Sequence, residues 1–283
     1  DSHIIKGLDQ SFMDSDCVSC GACSQACPTS AISDVFQSKS VQATDTTRTV
    51  CTYCGVGCNL EIATDNGQIL SITAPYDAEV NQGHTCLKGR FAFKFYNHPE
   101  RLDAPMIKRN GEFEKVSWEE VYDYIAGKFT HYKETYGPDS LAGISSSRCT
   151  NEENYLMQKL ARAVYKTNNV DHCARLCHAS TVAGLTRAFG SGAMTNSIDE
   201  IENAACILAI GTNTTTSHPI IGMRVKKAVK NGAKLIVANP RKIDLCRFAD
   251  IWIQHRPGTD VALLMGMMKI IVDKGLADSS FIE

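Results

Sequence analysis

The sequence predicts an α/β protein: a cysteine-rich segment, a small β-rich domain, then doubly wound parallel-sheet α/β domains that are incomplete. Three observations carry this. Two cysteine sets, Cys17 to Cys27 and Cys51 to Cys86, crowd the first third of the chain. Period-two alternation on either side of Asn66-Gly67 marks an antiparallel hairpin. From Ala204 onward, short apolar runs alternate with polar loops and helical patterns, as parallel strands with crossover helices do.

The elements follow in order. Residues 1–45 hold the first cysteine set and a Ser/Thr/Gln-rich linker from Ser33 to Thr47. Residues 46–105 hold the second set and a hairpin of Leu60–Thr64 with Gln68–Ile72. Residues 106–172 read as the first part of an α/β domain. A tight turn at Asn110-Gly111 precedes a helix that Ser117 and Glu120 open as a capping box. A strand over Leu141–Ser145, an amphipathic helix over Asn151–Lys166 and a helix–loop junction at Asn168–Asp171 complete it. Residues 173–283 read as the first part of a second α/β domain, with a small-residue helix over Ala179–Phe189. Its strands are Ala204–Ile210, expected to be buried along its length, then Lys234–Ala238 and Ile251–Ile253. Helices start near Pro219 and after Asp260.

Composition bounds the function. A chain of 283 residues suggests about two domains. Its 43% apolar content suffices for real cores. A net charge of −2 gives no reason to expect nucleic acid as a partner. The longest apolar run, Val261–Val272, is broken by Gly266 and Lys269 and falls short of the roughly 20 residues a membrane span needs. Thirteen cysteines in a chain of this size argue for metal chemistry in a reducing, cytoplasmic compartment rather than a disulfide scaffold. The chain opens Asp1-Ser2-His3 without Met, so any targeting segment is expected to be missing.

The first set, Cys17-x2-Cys20-x2-Cys23-x3-Cys27-Pro28, has the spacing of ferredoxin-like [4Fe-4S] segments. In two-cluster ferredoxins the fourth cysteine of such a run serves the other cluster. Cys17, Cys20 and Cys23 are therefore expected on one cluster and Cys27 on another, its remaining ligands lying before Asp1. Cys51-x2-Cys54-x3-Cys58 with Cys86 is a complete four-thiolate set, and Gly55 and Gly57 permit backbone to wrap closely. By spacing alone a zinc site stays open for this second set. Lys88 reads by itself as a solvated lysine. Cys177-His178 reads by itself as a thiol and an imidazole opening a helix, where the terminus would favour the thiolate. Cys173 is a second candidate on spacing.

Context comes from Val50-Cys51-Thr52-Tyr53-Cys54-Gly55-Val56-Gly57-Cys58-Asn59-Leu60 with Cys86-Leu87-Lys88-Gly89-Arg90-Phe91. These residues resemble the amino-terminal cluster domain of molybdopterin oxidoreductases. Arg148–Glu152, Cys177-His178, Ile210–Asn213 and Asn239–Lys242 extend the resemblance, most closely to catalytic subunits of cysteine-containing formate dehydrogenases. It implies oxidation of formate to CO2, or the reverse, at molybdenum or tungsten held by bis-molybdopterin guanine dinucleotide. Cys177 would ligate the metal, His178 would stand beside substrate, and Lys88 would lie between pterin and cluster. Arg175 could add positive charge or be an ordinary surface arginine. Cofactor contacts are implied at Gly211, Asn213, Thr214 and His218, then at Asn239, Arg241, Gly258 and Asp260. Electrons would pass to an NAD-reducing or ferredoxin-linked partner subunit. Two alternatives are a nitrate reductase-type molybdoenzyme and a noncatalytic iron–sulfur subunit of the complex I type. The resemblance also implies that this is a fragment. The substrate-binding arginine is expected beyond Glu283, and the chain alone is expected to be inactive.

Overall fold

The computed structural model describes Ser15, residues 17–34 and residues 42–283. These residues form two compact units. One comprises the chain up to Lys94 together with Asn196–Glu283, and the other is Phe95–Thr195. The units cut the chain differently from the four segments 1–45, 46–105, 106–172 and 173–283. Both cysteine-bearing segments share a unit with the last three strands, and Ile220 between those strands packs into the core of the second cysteine set.

The first unit begins with α1 (Ala22–Ala26), inside the first cysteine set. The strands β1 (Asp45–Val50), β2 (Asn59–Asp65) and β3 (Gln68–Thr73) follow as an antiparallel sheet in that order. Asn66 (φ 46°) and Gly67 (φ 76°) both take the left-handed conformation that a type I′ hairpin turn needs. β1 occupies part of the expected linker. It pairs with β2 along its whole length, yet all six of its side chains are exposed, so no apolar alternation betrays it. The helix α2 (Leu87–Phe91) starts directly after Cys86. Beneath this layer lie Cys51, Val56, Cys58, Leu60 and Ile72, joined by Ile220 from far along the chain.

In the second unit, β4 (Met106–Arg109) and β5 (Glu112–Lys115) form a hairpin around Asn110-Gly111. The next helix, α3 (Trp118–Tyr136), is capped by Ser117, whose Oγ accepts from the Glu120 N–H at 3.1 Å. The expected capping box is not completed, because the Glu120 carboxylate pairs with Arg109 instead. The strand β6 (Gly143–Ser145) leads to α4 (Asn151–Lys159), where a full box does form between Thr150 and Glu153. The helix expected over 151–166 widens into a π turn at Leu160–Tyr165 and stops at Lys166, which is left-handed (φ 64°). The strand β7 (Val170–His172) pairs in parallel with β6, where a helix–loop junction was expected. Three residues are too few to show a period. The helices α5 (Ala174–Cys177) and α6 (Ala179–Phe189) close the unit, whose small core is Leu141, Ala161 and Tyr165.

The chain then returns to the first unit through β8 (Cys206–Ile210), α7 (Thr214–Ser217), α8 (Pro219–Lys230), β9 (Lys234–Ala238), β10 (Ile251–Ile253), α9 (Asp260–Asp273) and α10 (Ser279–Ile282). The three strands are parallel, with β9 in the middle. Leu235, Val237 and Ala238 on β9 are fully buried, and the first two pack with Val225 of α8 and with Ile243 and Leu245. The expectation that β8 is buried throughout fails. It is an edge strand with one face packed, so Ala209 is buried while Cys206 and Leu208 are exposed.

Truncating the central strand should show this layering. Leu235→Ala is expected to cost about 2–5 kcal/mol. Urea unfolding should register that loss as a lowered midpoint, whereas Leu208→Ala on the open face should shift it little.

Candidate metal and cofactor sites

The loop from β1 to β2 carries three of the second set of cysteines. It folds back on itself, the Cys51 N–H donating to the Cys58 carbonyl at 2.8 Å and the Gly57 N–H to the Cys54 carbonyl at 3.3 Å. Cys86 arrives as the residue preceding α2. Cys51, Cys58 and Cys86 are buried and Cys54 is half-buried. The Cys58 thiol is pushed up to about 12, first by burial and then by the thiols of Cys51, Cys54 and Cys86. All four therefore lie within electrostatic reach of one another. A site that penalises bare thiolates this way suits a positively charged iron centre, which deprotonates its ligands. Among the described residues no three His, Cys, Asp or Glu side chains close up around a single ion. A Cβ on Gly89 would collide with Thr85 Oγ1 and lie 3.5 Å from Cys51 Sγ, so the site wall has no room for a side chain there.

In the first set, Cys17, Cys20 and Cys27 are half-buried and Cys23 is exposed. The Cys27 thiol is lowered to about 7 by the Ile32 N–H and then by the Thr29 hydroxyl, which favours the thiolate a metal binds. Two cations from elsewhere hold this segment. The Lys226 ammonium, 7% exposed, donates to the carbonyls of Ser15 and Cys17 at 3.4 Å each and lies 4.7 Å from the Phe248 ring centroid. Arg90 Nε donates to the Cys20 carbonyl at 2.7 Å, and Nη1 donates to Gln25 Oε1 at 2.8 Å. Burial pulls the Arg90 pKa down, while Cys20, Tyr76 and Cys23 oppose that.

A cleft of about 320 Å³ opens beside both sets, lined among others by Cys17, Lys88, Thr215, Thr216, Lys226 and Arg247. Its three cations outweigh the one carboxylate, Asp244, and with the hydroxyls of Ser19, Thr215 and Thr216 they suit an anionic, phosphate-bearing group. The buried Thr214 Oγ1 has no hydrogen-bond partner among the described residues, which fits a polar ligand at this loop. Of the expected contacts, Gly211 and Asn213 stand in the loop after β8, Thr214 opens α7 and His218 follows it, Asn239 and Arg241 come after β9, and Gly258 and Asp260 after β10. The structure brings the three loops to one sheet edge. Asn239 Nδ2 donates to the Thr212 carbonyl at 3.4 Å, and the Asn239 N–H to the Ile253 carbonyl at 3.0 Å. None of these eight expected contacts lines the cleft, whose walls near them are the neighbouring Thr215, Thr216 and Pro219. Asn239 Oδ1 caps the Arg241 N–H at 2.9 Å, and Asp260 Oδ1 lies 3.0 Å from Nε2 of the largely buried His255.

Cys177 and His178 are exposed and lie in the second unit. The expected helix start is displaced: Cys177 ends α5, and His178 is the residue that precedes α6. The terminus effect invoked for Cys177 therefore does not act on it directly. Cys173 is the better-engaged thiol. It accepts from the Ser147 N–H at 3.2 Å and lies 3.3 Å from Ser147 Oγ, contacts that lower its pKa. Arg175 pairs with Asp171 at 3.0 Å, which supports its reading as a structural arginine.

Arg90, Lys226, Thr215, Thr216 and His255 were missed by sequence reasoning. Arg90 stood within the Cys86–Phe91 stretch, so proximity to a ligand was its available signal. Lys226 carried none, lying in an amphipathic helix far along the chain.

The fold and these sites define an iron–sulfur protein with a nucleotide-type α/β domain. A molybdopterin oxidoreductase family model matches residues 101–282, its Fe4S4 domain matches 44–98, and a 4Fe-4S binding domain matches 11–33. The chain belongs to the molybdopterin oxidoreductases, and its cofactors are iron–sulfur clusters and molybdopterin with molybdenum or tungsten. A putative formate dehydrogenase of Staphylococcus aureus is 41% identical over 99% of this chain and 33% of its own length. The F420-dependent formate dehydrogenase 1 subunit alpha of Methanococcus maripaludis is 46% identical over 84% of this chain and 35% of its own. Acetylene hydratase from Pelobacter acetylenicus superposes with a TM-score of 0.69 at 27% identity, over 83% of this chain and 33% of that one. The chain thus spans about a third of the curated relatives it matches.

Steric crowding at Gly89 makes a direct test. Gly89→Val in the full-length protein should lower iron content and remove one cluster's EPR signal. Gly55→Ala, where a Cβ meets nothing within 4 Å, should leave both intact.

Proposed function

We propose that this chain belongs to the catalytic subunit of a formate dehydrogenase, converting formate to CO2 or the reverse. The observation that carries the reading is identity of 41% with a putative formate dehydrogenase across 99% of the chain, Cys177-His178 included in that span. The superposition on an acetylene hydratase means that fold alone does not choose the substrate.

Each residue then has a role. Cys177 is the thiolate ligand of molybdenum or tungsten, for which a soft sulfur donor is suited. The bound metal centre supplies the two-electron oxidation. His178 holds or moves the single proton at its imidazole, since formate becomes CO2, one proton and two electrons. Lys88, Thr214, Asn239 and Arg241 bind and orient the dinucleotide pterin, with Gly211, Asn213, His218, Gly258 and Asp260 shaping the three loops. Cys51, Cys54, Cys58 and Cys86 hold one [4Fe-4S] cluster. Cys17, Cys20 and Cys23 hold another, and Cys27 serves a further one. The segments 1–45, 46–105, 106–172 and 173–283 are assigned as cluster segment, cluster domain and the first parts of two α/β domains. No helix among the described residues is long and apolar enough to cross a membrane. We assign the protein to the cytoplasm, where it passes electrons to an NAD-reducing or ferredoxin-linked subunit.

Formate-dependent reduction of a viologen dye by the full-length protein is the test, with nitrate offered as oxidant in parallel. Formate activity without nitrate reduction is expected, and the opposite result overturns the assignment. Cys177→Ala should abolish dye reduction while iron content stays at the wild-type level. His178→Ala should lower kcat by roughly 10²–10⁴-fold.

A further inference from the structure

We propose that Arg90 sets the reduction potential of the Cys17–Cys23 cluster, acting as a buried cation delivered from the wall of the neighbouring cluster site. The proposal rests on both cysteine sets holding clusters and not on formate as the substrate.

Arg90 lies in α2, four positions beyond Cys86, and is 4% exposed. Among the described residues its bonds run to neutral acceptors: the Cys20 carbonyl at 2.7 Å, Gln25 Oε1 at 2.8 Å and the Ile72 carbonyl at 3.4 Å. Nη2 is buried with no partner among the described residues, and no carboxylate among them pairs with this side chain. A guanidinium does not give up its proton. Burying its charge without a counter-charge is strongly unfavourable. The ionisable groups within its electrostatic reach are the Cys20 and Cys23 thiols and the Tyr76 phenol. Thiolates on an iron–sulfur cluster are the counter-charge that resolves this imbalance.

The surroundings are shaped for that contact. Gly21, between Cys20 and Cys23, has φ +69°, and a Cβ there would run into the Arg90 side chain and Phe91. Gln25 fastens the same segment to the β domain, its Nε2 donating to the Ala74 carbonyl at 2.7 Å and its Oε1 accepting from the Ala74 N–H at 3.1 Å. The segment is thus pressed against the guanidinium at main-chain level. Net charge and hydrogen bonds around a cluster set its potential. A fixed cation favours the form carrying one more electron, so Arg90 raises the potential of this cluster. It is a positioning residue that touches no substrate.

The experiment is an EPR-monitored redox titration of the full-length protein with dithionite as reductant, which needs no turnover. Arg90→Met should move the Cys17–Cys23 cluster to a more negative midpoint and leave the Cys51–Cys86 cluster nearly in place. Arg90→Lys, keeping the charge, should recover most of the shift. Gln25→Leu, which breaks the clasp and keeps the charge, should give a smaller shift than Arg90→Met. An unchanged midpoint in an iron-replete Arg90→Met protein overturns the proposal, as does an equal shift in Gln25→Leu. Should Arg90→Met lose the first cluster's iron, Arg90→Lys decides. Retained iron with a near wild-type midpoint supports the charge role, and loss of iron there too makes Arg90 merely structural. If the wild-type protein shows no cluster signals, the cluster reading itself falls, and this inference with it.

Discussion

Ile220 ties the Cys51–Cys86 site to the segment that follows β8, and the rest of the first unit depends on that tie. The residue stands in the first turn of α8 and is 1% exposed, packed in one core with Cys51, Cys58, Val56 and Leu60. One turn further along, Val225 enters the separate core under β9. The helix is therefore glued on two sides. Burying one isoleucine stabilises by about 1.5–3 kcal/mol, enough to fix where the helix begins. Arg224 adds to the same join, paired with Asp199 at 2.8 Å and with Glu202, while its Nη2 also donates to Gln82 at 3.2 Å. The segment 214–218, which is α7 and His218 and ends just before Ile220, thereby inherits its position from the cysteine domain.

The charge of the whole chain says little about these sites. A net charge of −2 is near neutral, yet Lys88, Arg90, Lys226 and Arg247 gather around the two cysteine sets. Four thiolates on a cluster and the phosphates of a dinucleotide are anionic, so local charge balance governs what these residues do. Lys226 and Arg90 contact main-chain carbonyls of the first cysteine segment from two separate helices, one from α8 and one from α2. Each carries charge inward where a neutral residue would merely fill space.

The cysteine sets were legible because metal coordination imposes spacing on the sequence itself. The parallel strands at 206–210, 234–238 and 251–253 were legible because their apolar runs end in polar loops. Elements without such patterns stayed hidden. β1 is polar on both faces and exists by pairing, and β7 is too short to carry a period. The π turn at Leu160–Tyr165 differs from an α-helix by hydrogen-bond register, to which apolar spacing is insensitive. The helix break between Cys177 and His178 was equally invisible. In the sites, ligands near one another in sequence could be named, while Lys226, reaching Cys17 across most of the chain, could not.

The first unit is discontinuous: the chain leaves it at Lys94 and returns at Asn196. Synthesis runs from the amino terminus, so all four cysteines of the Cys51–Cys86 site emerge well before Ile220, which completes their core. At about 5–20 residues per second, that delay is on the order of ten seconds. During that interval the thiols lack one wall of their enclosure and are open to iron delivery. The ligands are made early and the last wall late, an order fixed by the chain itself.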